Sequence, residues 1–158
     1  MKTYNRRHRL VGVATVGVLL TGLLALATPS YATSGDSVVG GGSLTAGTAT
    51  EQFAINARRA GADTAATGTL TVSTAKAAAH ATVSCLYVEG NTAWVGVTVV
   101  RSTPSVTPGQ QDVLIFIASS PEVISDTRVH DASTCGTKPS ASNAFTVTKG
   151  GFTITSAT

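Results

Sequence analysis

Charged side chains are scarce in this 158-residue chain, at 12%, and aromatic ones scarcer still, at 5%. There are two cysteines, one tryptophan and one methionine. With 42% hydrophobic residues the chain is too apolar for full disorder, and it is too rich in Gly and Thr for a multi-span membrane protein. Its length fits one domain. Several chemistries lack their signature. Gly40-Gly41-Gly42-Ser43 has no Lys-Ser/Thr end and so makes no phosphate loop. There is no Gly-x-Ser-x-Gly elbow and no His-Glu-x-x-His helix. No fixed-period repeat is present.

The start of the chain carries the clearest signal. Lys2, Arg6, Arg7 and Arg9 precede an uncharged apolar run from Leu10 to Ala27, and Ser30-Tyr31-Ala32 supplies small residues at an exit. That order describes a secretory signal peptide over 1–32, with the mature chain starting at Thr33. A retained anchor is the rival reading, and Gly12, Gly17, Gly22 and Pro29 argue against it. Arg6-Arg7 leaves general and twin-arginine export both open. Removal of the leader turns a net charge of +3 into −1, because the remaining 126 residues hold 7 basic and 8 acidic side chains. Arg58-Arg59 is then the one adjacent basic pair, which is no footprint for nucleic acid. The expectation is a secreted, extracellular domain over 33–158 with no lasting membrane anchor.

In an exported chain an isolated Cys85 and Cys135 read as one structural disulfide. The rest of the body is punctuated for strands. Thr69–Ser73 alternates polar and apolar, and Phe53–Ala57 places Phe53 and Ile55 on one face. Val113–Ile117 is apolar throughout and predicts a strand covered on both sides. Gly90-Asn91 predicts a two-residue hairpin with Tyr87 opposite Trp94, Leu86 opposite Val95 and Cys85 opposite Gly96. The missing side chain at Gly96 leaves room for a loop crossing that face. Leu86, Val88, Val95, Val97 and Val99 would face the core; Ala81, Val83, Cys85, Tyr87, Trp94, Thr98 and Val100 would face away. Gly150-Gly151 predicts a second hairpin pairing Val147 with Ile154. Ser119-Ser120-Pro121-Glu122 has helix-start chemistry, so one or two turns are expected within 123–130. Residues 74–81 fit a helical turn, a wet connection or a strand start. Residues 102–111 read as a loop, and 33–37 and 137–142 as mobile polar segments. The expected fold is all-β, an antiparallel sandwich or small barrel with an ordered core over about 36–157.

Three stretches together, Val38-Val39-Gly40-Gly41-Gly42, Phe53-Ala54-Ile55-Asn56-Ala57-Arg58 and Val83–Ala93, resemble a group of small secreted β-rich proteins of actinobacteria of uncharacterised function. The resemblance spans most of 36–117 and implies an exported β-domain. It brings no functional residue, and the Cys135 region falls outside it.

Function is narrowed mainly by subtraction. His80, His130 and Asp131, with Glu122 and Asp126 near in sequence, lack any recognised metal or catalytic spacing. Neither catalytic residues, nor a metal, nor a cofactor is assigned. Tyr87 and Trp94 form either a stacking platform for a sugar or peptide or ordinary cross-strand packing, and packing is the favoured account. The leading reading is a non-enzymatic binding or structural module with an unknown extracellular or cell-wall ligand. Second is a protease inhibitor presenting Arg101–Pro108 or Cys135–Pro139 as an extended loop. Third is a secreted hydrolase built on His130 and Asp131.

Overall fold

The computed structural model describes residues 35–103 and 106–157; the expected leader and cleavage point lie outside them. Eight strands run β1 (Ser37–Ala46), β2 (Ala49–Arg58), β3 (Thr67–Ser73), β4 (Ala78–Glu89), β5 (Thr92–Ser102), β6 (Gln111–Ile117), β7 (Val123–Arg128) and β8 (Asn143–Thr155). Each pairs antiparallel with the next, and β8 returns to β1, so the sheet closes into a barrel. Of the two architectures expected, the small barrel is the one formed. A sandwich needs two separate sheets, whereas here every edge finds a partner.

Closure depends on glycine. The Gly150-Gly151 hairpin does not form; both residues lie within β8, opposite Gly42 and Gly41 of β1. Asn143–Thr146 pairs with β7 and the following part of β8 with β1. The two backbones approach so closely that a Cβ on Gly42 would lie 2.1 Å from the Lys149 carbonyl oxygen. One on Gly40 would lie 2.3 Å from that of Gly151. The glycines therefore permit a tight strand contact, where the sequence pattern alone reads as a turn. Val147 and Ile154 do not pair; they sit opposite Leu44 and Val38 and pack against the core.

The Gly90 hairpin forms in the expected register, Tyr87 opposite Trp94, Leu86 opposite Val95 and Cys85 opposite Gly96. Gly90 has φ +59, as a left-handed first turn residue requires. One part of its facial pattern is corrected. The ladder slips between Val83 and Cys85, so Ser84 is an extra residue that inverts the alternation. Ala81 and Val83 accordingly join Leu86, Val88, Val95, Val97 and Val99 in the core. Phe116 and Phe152 meet edge-to-face at 5.1 Å in the same interior.

Outside, Gln52, Asn56, Arg58, Thr69, His80 and Thr82 are exposed. Apolar inside and polar outside is the reverse of a lipid-facing barrel. The helical turns expected after Pro121 are also corrected. Val123 and Ile124 enter the ladder opposite Ile117 and Phe116, which satisfies amides that a short exposed helix would leave to water. Residues 74–77 are a turn and Ala78 starts β4. Asp36, within the segment expected to be mobile, is 2% exposed.

Candidate functional site

The two barrel ends differ. At one end a single carboxylate gathers three segments: Asp36 pairs with the Arg59 guanidinium and accepts a bond from the Ala157 amide at 2.7 Å. The Asp36 carbonyl accepts from the Arg59 amide at 2.9 Å. A buried, multiply bonded pair of this kind is costly to break from one side. Nearby, Glu122 accepts from the Phe152 amide at 3.2 Å, on the flank of β8 where β7 has ended.

The opposite end, where β1 meets β2 and β5 meets β6, opens into a cavity of about 240 Å³. Its wall includes Leu44, Phe53, Leu70, Val97, Leu114, Phe116 and Phe145, and its polar lining includes Glu51, Gln110, Asp112 and Asp126. Period-two alternation sets this composition. Glu51 is two residues before the core residue Phe53 on β2; Asp112 registers with Val97 and Asp126 with Leu114. Asp112 is held by the Gln110 side-chain amide at 2.7 Å and approached by Arg128 at 3.8 Å. Asp126 accepts from the Asn143 side chain at 3.1 Å. No donor among the described residues reaches the Glu51 carboxylate. A smaller cavity of about 80 Å³ adjoins this one, and Glu51, Val72, Ala79 and Val106 line both.

The residues singled out from sequence lie elsewhere, on the outer wall. Cys85 and Cys135 form the expected disulfide, with Cα atoms 6.0 Å apart. Cys135 belongs to a 3-10 helix, Ala132–Thr137, that lies across β4, β5 and β6. The room expected at Gly96 is used: a Cβ there would stand 1.8 Å from the Ala132 carbonyl oxygen. Asp131 caps this helix by accepting from the Ser133 amide at 2.8 Å, and its bonds from Ser133 hold its pKa below the ordinary 3.8. Gln111 fixes the entry, its side-chain oxygen accepting from the Ala132 amide at 2.6 Å.

Tyr87 and Trp94 have ring centroids 6.0 Å apart and pack with Cys85, Val113, Cys135 and Val129. Lys138 stands 5.1 Å over the Tyr87 ring and bonds Glu89 at 2.8 Å. That bond raises the Lys138 pKa above its ordinary 10.5. The two rings thus pack across the strands beside the crossing segment, and the same layer covers Val113 on β6. His80 faces out from β4 beside Arg101, while His130 follows β7 and Asp131 is committed to its cap. Among the described residues no three His, Cys, Asp or Glu side chains are placed to hold a metal. Cys135–Thr137 is helical, not extended; beyond Arg101 the Thr103 amide donates to the Ala78 carbonyl and Val106 lines the cavity.

The fold and site define an up-and-down β-barrel with an open, acid-rimmed apolar lumen. No family profile, curated protein or solved structure matches the chain.

Proposed function

We propose that this protein is an extracellular binding module that takes a small, largely apolar molecule into the open end of its barrel, without catalysing its conversion. The lumen carries this reading. Eight-stranded barrels have interiors either filled by side chains or left with space for one small ligand. Here about 240 Å³ stays open and reaches the surface. A dry apolar protein cavity of about 150 Å³ already holds benzene. One ring or a fused pair is the size this lumen accepts.

The basic-apolar-small leader pattern and the disulfide support export, since stable disulfides belong to oxidising compartments. The alternation that sends Phe53, Leu70 and Val97 inward supports an apolar body for the ligand.

The reading is tested by thermal shift with indole and naphthalene on the oxidised protein. At a hundredfold excess over Kd, binding raises stability by about 2.7 kcal/mol. Ala79→Phe, at a half-buried position in the cavity lining, should abolish the shift while leaving the unliganded melting temperature within a few degrees. A shift unchanged in Ala79→Phe, or none in the parent protein, would remove the lumen as the site.

A further inference from the structure

Three carboxylates, Glu51, Asp112 and Asp126, line the cavity, and among the described residues no Lys, Arg or His joins them in its wall. Their placement follows from topology. β2 and β6 are four places apart in a ring of eight, so Glu51 and Asp112 stand on opposite sides of the lumen. Asp126 lies on the neighbouring β7, opposite Leu114 and two residues deeper than Arg128, which registers with Asp112. The compensating positive charge is small: Arg128 reaches one Asp112 oxygen at 3.8 Å with 74% of its side chain exposed. Such a pair contributes little and neutralises little.

Resting on the lumen reading above, we infer that the ligand is an organic cation, a ring-sized apolar body ending in a protonated amine. The body fills the wall of Leu, Val and Phe side chains. The ammonium lies at the level of the carboxylates, where Glu51 is available on one side and Asp112 and Asp126, already oriented by Gln110 and Asn143, face it from the other. Beside an apolar wall the effective dielectric is lower than in water, so each carboxylate acts more strongly than on an open surface. A neutral ligand gains the apolar burial alone, and an anion of the same shape is repelled. A bare divalent ion is disfavoured, because no three of these groups converge as metal ligands.

A matched series decides the matter: 2-phenylethylammonium, 2-phenylethanol and 3-phenylpropionate, titrated calorimetrically into the oxidised protein. The cation should bind at least about tenfold more tightly than the alcohol, and the carboxylate most weakly. Glu51→Gln and Asp126→Asn keep shape and remove charge; each should shrink the cation's advantage severalfold and leave the alcohol's affinity unchanged. Molar salt should do the same. If alcohol and cation bind equally, and Ala79→Phe abolishes both, the charge inference falls and the lumen reading stands. If none of the three binds, the lumen reading fails and takes this inference with it.

Discussion

Breaking the Cys85–Cys135 bond should cost the barrel stability without costing it its form. The bond closes a separation of 50 residues. Chain entropy makes such a closure worth about 4 kcal/mol in the unfolded state. In a domain with somewhat over a hundred ordered residues, 1 kcal/mol corresponds to about 4 °C in melting temperature, so a fall of about 15 °C is expected. The barrel ladder itself contains no contribution from the 3-10 helix, since all eight strand pairs close without it. The far-ultraviolet β spectrum at 10 °C should therefore persist. The assay compares melts of the oxidised protein with those of a Cys85→Ala/Cys135→Ala double variant, alongside amide exchange. Exchange should accelerate at Thr134 and Lys138, whose amides bond within the crossing segment, and remain slow in β5 and β6. A fall below about 4 °C would refute the unfolded-state argument. Loss of the β spectrum would refute the separation of staple from barrel.

Gly40→Ala places a Cβ against the backbone of Gly151 and Phe152, neither able to move aside, and should destabilise by about 3 kcal/mol or more, with amide exchange rising first in β1 and β8. Asp36→Ala leaves Arg59 without its buried partner and should cost roughly 3–5 kcal/mol in urea unfolding. Glu89→Gln, at the exposed Lys138 pair, should leave the urea midpoint nearly unchanged. The Asp131 cap is pH-dependent in a defined sense: its folded pKa lies below 3.8, so its stabilisation is present above that value and fades as pH falls through the depressed one. Protection of the Ser133 amide should follow that fall in the parent protein and be flat in Asp131→Asn. Secreted material should begin at Thr33, which intact-mass measurement of culture supernatant reads as the loss of 32 residues.

How far the sequence was legible depends on where each signal is encoded. The Gly90 hairpin is local: turn residues and alternation lie within a few positions, and the Tyr87–Trp94 register follows from them. Gly96 is similar, a missing side chain that marks a crossing. Gly150-Gly151 has the same local signature as a turn, yet its role is set by Gly40–Gly42, over a hundred residues away. The Ser84 bulge defeats facial assignment because strict alternation carries no sign of one extra residue. The carboxylates of the lumen were readable in part. Glu51 continues the inward phase of Phe53 and Ile55, so a charge on that phase at a strand end marks a barrel mouth. For Asp112 and Asp126 the phase is obscured by apolar residues on both faces of β6 and by the helix chemistry before β7.

The bond between the Ala157 amide and Asp36 brings the first and last described segments together, at the end away from the cavity. A barrel whose first and last strands end side by side tolerates re-ordering of its connectivity. A short linker from 157 to 36, with new ends cut at the exposed Gly47 turn, would yield a permuted barrel with every strand pair kept. Both ends of the closed ladder, Ser37 on β1 and Thr155 on β8, thus lie side by side on the side away from the cavity mouth.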